Sequence, residues 1–349
     1  MAKGSEEKGK RLQETIDKLN KAYGAGTILS LDNKYVGEYE VISTGSIGFD
    51  YIALGTGGFI YGKVYELMGW EGTGKSTICG HATAECQKQG GTVAYIDGEH
   101  AVDKNYFEAL GVDTSKILFA QPSNGEEGFQ IAYDLAKTGE VNLIILDSDN
   151  SLMPKKVVDG DIGDSAIGKK AVLNNNSYPK LKTVCSENNV CLVVISQFRE
   201  KIGVMFGDPT TTQGGHALKF YSDCRIQVSK SQVKDGDDIV GNVTKIKVIK
   251  NKMAPPFKLY SFNIMYGVGI DKGLEILTLM NTYGIGRKYG GFMTYEGNKM
   301  TLEVFMDLLS EESFYNKIKN EIITKIKEDE QNNPKIIVED DSSNQETTP

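Results

Sequence analysis

Four groups of residues in this chain have the types and spacing that phosphate chemistry requires. The first is Gly69-x4-Gly74-Lys75-Ser76, within GWEGTGKST. Glycines so placed let backbone N–H groups converge on phosphate oxygens, and a helix starting there adds its positive end. Lys75 is placed to reach the β- and γ-phosphates of ATP, and the Ser76 hydroxyl to ligate Mg²⁺. Gly69, Glu71, Gly72, Thr73, Gly74, Lys75, Ser76 and Thr77 are therefore the candidate phosphate cradle. The second is Asp147, which closes the apolar run NLIILD and supplies the strand-end carboxylate that a metal in such a site needs. The third is Glu99, just after TVAYID, a candidate for activating water. A solvated loop acid or a helix cap is the competing reading of Glu99. The fourth is Gln197, at the tip of CLVVISQ, within reach of a γ-phosphate or else a simple strand-end cap.

These residues need elements to hold them. VYELMG (64–69) reads as a strand feeding the glycine-rich turn, with a helix from Ser76; TVAYID (92–97), NLIILD (142–147) and CLVVIS (191–196) are apolar runs of strand length separated by helical stretches. Runs without alternation suit parallel strands buried on both faces. Ligands in such sheets gather at the carboxyl edge, where all four groups fall. Beyond Gly214, IQVSK, TKIKVIK and KLYSFNIMY have shorter connections and predict antiparallel additions. The fold class expected is α/β: a P-loop ATPase core (39–270) on a mixed, mostly parallel sheet. It is preceded by an N-terminal helix and linker (1–38) and followed by a small α+β module (271–327). In the N-terminal segment Leu12, Ile16, Leu19 and Ala22 share one helical face that ends at Gly24/Gly26 and must pack on its own core or on a neighbouring subunit. Ile318, Ile322 and Ile326 mark a packing stripe on the last helix.

With 40% hydrophobic and 25% charged residues the composition is that of an ordinary globular protein. No apolar run is long enough to cross a membrane, and MAKGSEEKGKRLQ lacks a signal-peptide core, so the cytoplasm is the default expectation. Five cysteines, an odd number without a CxxC pair, read as buried small hydrophobes in a reducing compartment. The net charge of −8 lies mostly in the last residues. From Glu328 on, seven acids face one lysine, which marks 328–349 as an acidic, disordered tail and leaves the body nearly neutral.

At five separated blocks the chain resembles the bacterial RecA-type recombinases. They are EVISTGSIGFDYIALGTGGFIYGKVYELMG, YIDGEHAVD, IGDS, SQFREKIGVMFGDPTTTQGGHALKFY and KVIKNKMAPPFK, in that order. The resemblance implies an ATP- and Mg²⁺-dependent protein that polymerises on single-stranded DNA, exchanges strands with duplex DNA, and serves recombination, repair of DNA damage and the SOS response. Single-strand-binding and mediator proteins are further implied partners. By the same resemblance Glu99 is the water-activating glutamate, Asp147 the metal-site aspartate and Gln197 the γ-phosphate sensor. Asp103 and Tyr106 match adenine-contacting positions. Lys250 and Lys252 match a pair that reaches the neighbouring subunit's nucleotide, and the N-terminal helix matches a polymerisation helix. Two segments are implied to touch DNA. DGDIGDSAIGKK carries Ile167, Gly168, Lys169 and Lys170, with Ile167 as a wedge. REKIGVMFGDPTTTQGGH carries Arg199, Ile202, Gly203, Val204, Met205, Gly214, Gly215 and His216, with Ile202 as the wedge between bases. The family continues after Ile167-Gly168 in an arginine-bearing helix, whereas this chain reads KKAVLNNNSYPKL. Pro179 is expected to end or bend a helix there, and Lys169 and Lys170 to take over its phosphate contacts. A hexameric replicative helicase and a non-exchanging ATP- and DNA-binding regulator are the alternatives; retention of Lys75, Glu99, Asp147, Gln197 and the lysine pair speaks against the second.

Overall fold

The computed structural model describes residues 2–24, 27–28, 39–161, 168–200, 210–212 and 214–332, with side chains from residue 8 onward. Ile167, Ile202, Gly203, Val204 and Met205, and residues 333–349 of the expected tail, lie outside these. The chain divides into two units, Met1–Tyr39 and Glu40–Pro349. In the first, α1 (Ala2–Tyr23) begins upstream of the periodic face and stops at Gly24, whose φ of 112° ends a helix that a side chain would strain. Leu12 on its apolar face is 63% exposed.

The second unit opens with the short antiparallel pair β1 (Val41–Ile42) and β2 (Phe59–Ile60). Strand and helix then alternate: β3 (Val64–Gly69), α2 (Lys75–Lys88), β4 (Val93–Asp97), α3 (Lys104–Ala109), β5 (Ile117–Ala120), α4 (Gly125–Thr138) and β6 (Leu143–Asp147). After α5 (Lys155–Val158) and α6 (Lys169–Glu187) come β7 (Cys191–Glu200), β8 (Thr210–Thr212) and α7 (Ala217–Tyr221). The strands β9 (Cys224–Asp235), β10 (Asp238–Asn251), β11 (Leu259–Met265) and β12 (Gly269–Ile270) follow. Last are α8 (Lys272–Tyr283), the three-stranded sheet β13 (Arg287–Tyr289), β14 (Phe292–Tyr295) and β15 (Asn298–Thr301), and the helices α9 (Leu302–Leu309) and α10 (Glu312–Asn332).

The central sheet runs β12-β11-β10-β9-β3-β7-β6-β4-β5. From β9 to β5 every pairing is parallel, and β10, β11 and β12 add in antiparallel fashion. Alternation of side chains across a pleated strand divides the core in two. Cys191, Val193 and Ile195 of β7 face the layer of α2, packed with Ile78, Cys79 and Ala82, whereas Leu192 and Val194 face α4 and α6 through Phe129, Tyr178 and Leu181. A third core gathers α8, α9, α10 and their small sheet around Phe305, Ile318, Ile322 and Ile326. All five cysteines are buried and unpaired.

Two expectations need correction. Pro179 lies inside α6 and does not end it. Proline costs a helix interior about 3 kcal/mol, but Leu181, Val184 and Tyr178 are buried on the same helix, and large apolar side chains contribute roughly 1.5–3 kcal/mol each on burial. Packing therefore outweighs propensity. Likewise α10 continues past Glu328 to Asn332, where Lys325 pairs with Glu328 and Lys258 with Glu330. The acidic stretch thus starts as helix.

Candidate active site

The turn from β3 into α2 forms the floor of a cavity of about 270 Å³. Its geometry depends on missing side chains. Gly72 and Gly74 have φ of 67° and 92°, and a Cβ on Gly74 would lie 2.5 Å from Ile264 Cδ1. A Cβ on Gly69 would lie 2.2 Å from the Val228 carbonyl oxygen. Gly74 is also the N-cap of α2, with no side-chain cap, so the first amides of the helix are left for a ligand. Lys75 is 6% exposed, and its Nζ donates to the carbonyls of Gly69 (3.1 Å) and Trp70 (2.7 Å) and to Thr73 Oγ1 (3.4 Å). Burial lowers its pKa, an effect opposed by the carboxylates of Asp147 and Glu99. A glycine cradle, free helix amides and a buried ammonium fit the polyphosphate of ATP.

Across the cavity stand the ends of β4, β6 and β7. Ser76 Oγ donates to Asp147 Oδ2 at 2.7 Å and Tyr95 Oη to the same oxygen at 2.6 Å. Burial raises the Asp147 pKa to about 6, against these two hydrogen bonds. Among the described residues no cluster of three or more His, Cys, Asp or Glu side chains could hold a metal. A hydroxyl beside one carboxylate still fits Mg²⁺, which is commonly bound through one or two carboxylates, substrate phosphates and water. Glu99 Oε1 accepts from Ser148 Oγ at 2.5 Å and from Gln197 Nε2 at 2.7 Å. Gly69 and Gln197 are register partners in β3 and β7, which brings Gln197, three residues before the end of β7, to the phosphate turn.

Glu71, Gly72, Thr73, Gly74, Lys75, Ser76, Thr77, Glu99, Tyr106, Asp147 and Gln197, all expected from sequence, line this one cavity. Tyr106 Oη lies 2.9 Å from Thr77 Oγ1. Asp103 is not in the lining; it caps α3, accepting from the Tyr106 amide at 3.1 Å. Lys252 is at the end of the sheet opposite the phosphate turn and Lys250 is midway along it. Lys250 pairs in register with Arg225, and Arg225 with Glu66; the Lys252 amide reaches Asp223, whose own amide reaches Val64. Along the strand direction, at 3.3 Å per residue, Lys250 is therefore about 10 Å and Lys252 about 16 Å short of Gly69. Lys250 Nζ rests on the carbonyls of Lys219 (2.7 Å) and Phe220 (3.2 Å), and Lys252 lies 3.6 Å from Asp223.

Arg199 is exposed on the stem of the hairpin β7–β8, opposite Thr211. Gly214 and Gly215 have φ of 86° and 77°, and exposed His216 precedes α7, its ring 6.2 Å from that of Phe220. Gly168 is the left-handed N-cap of α6, and Lys169 is half-buried at its start. Lys170 is a correction. It is 9% exposed, 3.4 Å from Asp149, and donates to the Leu152 carbonyl at 2.6 Å, so its charge is turned inward and away from phosphates.

Sequence reasoning passed over several residues. Asn242 of β10, Ile264 of β11 and Tyr266 just past β11 close the cavity, and only the aromatic at the end of KLYSFNIMY, before a glycine turn, hinted at them. Asp97 accepts the amides of Glu99 and Val102 and the Gln121 amide group, shaping the loop that presents Glu99. Asn150 accepts the Gln197 amide at 2.8 Å.

Residues 10–271 match the model of the RecA N-terminal domain. The chain is 49% identical to the RecA protein of Cytophaga hutchinsonii over 84% of its length and 83% of the relative's. It is 43% identical to that of Chloroherpeton thalassium over 90% and 89%, and 44% identical to that of Bacteroides thetaiotaomicron over 85% and 90%. Similarity of this extent sets the helicase alternative aside. With a phosphate cradle at the carboxyl edge of a mostly parallel sheet, the chain belongs to the RecA family: it is a DNA-dependent ATPase and recombinase of DNA recombination, repair and the SOS response, and it binds ATP and DNA and polymerises with itself.

Proposed function

We propose the following division of labour for ATP hydrolysis and strand exchange. The P-loop amides and Lys75 hold the polyphosphate, Ser76 and Asp147 hold Mg²⁺, and Tyr106 with Asp103 faces the adenine side. Mg²⁺, when bound, supplies charge neutralisation of the phosphoryl oxygens. Glu99 takes the proton of the attacking water, and Gln197 senses the γ-phosphate. The observation that carries this is the shared hydrogen bonding at Glu99 Oε1, held by both Ser148 and Gln197 beside the buried ammonium of Lys75. A glutamine side chain that turns from Glu99 to a γ-phosphate frees a carboxylate lone pair for water, which ties sensing to activation.

Lys250 and Lys252 complete the site of the next subunit in a filament, since along the sheet they lie about 10 and 16 Å back from their own P-loop. Gly168 and Lys169, with Ile167, and Arg199 to His216, with Ile202 as wedge, contact single-stranded DNA through backbone phosphates and base steps. Residues 1–38 polymerise, 39–270 form the ATPase core and 271–327 a small C-terminal module, whose last helix runs into the acidic stretch as far as Asn332. Single-strand-binding and mediator proteins are the further partners of a cytoplasmic filament. Among the described residues no helix is long and apolar enough to cross a membrane.

The test is Glu99→Gln. It keeps the hydrogen-bonding shape but not the base, so kcat with single-stranded DNA should fall roughly 10²- to 10⁴-fold while ATP affinity and filament formation, followed by electron microscopy, persist. Hydrolysis within threefold of wild type would remove Glu99 from the chemistry.

A further inference from the structure

Three polar residues of KKAVLNNNSYPKL, namely Lys170, Asn174 and Tyr178, converge on one buried carboxylate. Asp149 is 1% exposed and accepts from Tyr178 Oη at 2.5 Å and from Asn174 Nδ2 at 3.1 Å to each carboxylate oxygen, with Lys170 Nζ at 3.4 Å. Asn174 and Tyr178 are each 1% exposed, and Lys170 also lies 5.3 Å over the ring of Phe129 in α4. Stability alone is a weak reason for this arrangement. A buried ion pair can often be replaced by packed apolar groups without loss, and here Asn174 Oδ1 is left buried without a partner, a desolvation cost of about 1–3 kcal/mol.

Location does account for it. Asp149 stands in the tetrapeptide Asp147–Asn150, and each of its residues grips a different part of the molecule. Asp147 meets Ser76 of the phosphate turn, Ser148 holds Glu99, and Asn150 accepts the Gln197 amide. Asp149 holds the first turns of α6. It is also fixed from below, its amide donating to the Ile195 carbonyl of β7 at 2.8 Å. Gly214 closes on the same point: a Cβ there would lie 2.1 Å from Asn174 Nδ2 and 3.1 Å from Asp149 Oδ2. The start of α6 and the residues just before α7 thus both press on the carboxylate next to the serine that holds Glu99.

We propose that Asp149, through Lys170 and Asn174, is a positioning residue that sets Glu99 and Gln197 for hydrolysis according to where the start of α6 and Gly214 lie. This rests on the reading that the segments flanking Gly168 and Gly214 contact DNA. A shift of α6 or of Gly214 on DNA binding moves Asp149, and with it the Ser148 hydroxyl and the Asn150 amide, which hold Glu99 and Gln197. The ion pair gives the coupling stiffness, because a charge held in a dry site cannot relax into solvent.

The experiment compares Lys170→Met and the pair Asp149→Asn/Lys170→Met with wild type. The pair leaves no unmatched buried charge, and it substitutes for the single variant should that one fail to fold by thermal melting. In the folded variant kcat at saturating single-stranded DNA should fall about tenfold. KM for ATP, affinity for a fluorescent ATP analogue and affinity for single-stranded DNA should each stay within twofold. A purely structural role would lower the melting temperature without this split. Unchanged kcat at saturating DNA overturns the proposal, and so does a fall in DNA affinity that accounts for the lost rate. The DNA-contact reading is checked separately by Arg199→Ala: DNA affinity unchanged there overturns that reading, while the kcat comparison still decides for or against Asp149.

Discussion

Helices α2 and α6 start alike and end up with opposite tasks. Each is capped by a glycine in the left-handed region, Gly74 or Gly168, with no side chain closing the first turn. Each presents lysine at once, Lys75 in one and Lys169 and Lys170 in the other, and both lysine groups match the pattern of a phosphate site. Lys75 is buried in the wall of an open cavity with only carbonyls and a hydroxyl of its own turn for partners. Lys170 is buried against a carboxylate. A glycine-lysine helix start prescribes a focus of positive potential, and the residue across the gap decides what neutralises it. Opposite Lys75 the sheet ends in groups that face a cavity; opposite Lys170 it ends in Asp149.

The largest expected consequence of that difference is in nucleotide binding. Lys75→Ala removes the charged donor and should weaken ATP binding at least about a hundredfold, near the upper end for one charge-assisted hydrogen bond, as read by titration with a fluorescent analogue. The same variant probes the far end of the sheet. Subunits with Lys75→Ala keep Lys250 and Lys252, and subunits with Lys250→Ala/Lys252→Ala keep the phosphate cradle. Mixed on single-stranded DNA, the two inactive proteins should recover part of the ATPase activity, because composite interfaces join one intact half to the other. No recovery at any mixing ratio would break the assignment of these lysines to a neighbour's site.

Titration gives a second contrast, because α2 carries a buried histidine where α6 carries the ion pair. His81 Nε2 accepts the Ile270 amide at 2.9 Å, which the neutral ring alone can do, and burial lowers its pKa to about 4. The folded value lies below the free value of 6.5. The stabilisation is therefore complete above about pH 6.5 and is lost as pH falls through 4, roughly 3 kcal/mol over the whole window. Other carboxylates titrate there as well, so the informative quantity is the difference in urea stability between wild type and His81→Gln. It should shrink by a few kcal/mol from pH 7 to pH 4. A constant difference would mean that the bond from His81 to β12 does not hold α2 in place.

The contrast between the two helices also marks how far the sequence could be read. The apolar runs ending at Gly69, Asp97 and Asp147 are strands at nearly those limits, because continuous burial on both faces leaves an unmistakable pattern. The site residues near their ends were legible for the same reason: Asp147 closes β6 and Glu99 follows β4 by two residues, Lys75 opens the helix after the glycine turn, and Gln197 ends the apolar run inside β7, which itself continues to Glu200. Lys170 was misread because its partner, Asp149, is remote in sequence and its burial depends on how α6 lies on the sheet. The path of α6 through Pro179 was hidden likewise, since a proline's local cost is visible and the burial of Tyr178 and Leu181 that offsets it is not. Asn242 and Ile264 enter the cavity from strands that join the sheet late in the chain, through pairings no local pattern announces.

The smallest effects test the two glycines themselves. Both Gly74 and Gly168 hold positive φ, of 92° and 75°, where an L side chain is strained by about 1–2 kcal/mol. Alanine also stiffens the unfolded chain, which returns about 0.4–1 kcal/mol. At Gly168 nothing lies within 4 Å of an added Cβ, so strain is the whole cost and Gly168→Ala should lose about 1 kcal/mol with ATP affinity intact. At Gly74 the same Cβ meets Ile264 Cδ1 at 2.5 Å in the wall of the cavity, and crowding of this kind adds roughly 1–3 kcal/mol. Gly74→Ala should therefore be the less stable by thermal melting and should weaken ATP binding as Ile264 is pushed aside. Equal melting temperatures for the two variants would mean that Ile264 yields freely, and that the cavity above α2 is no more tightly built than the open start of α6.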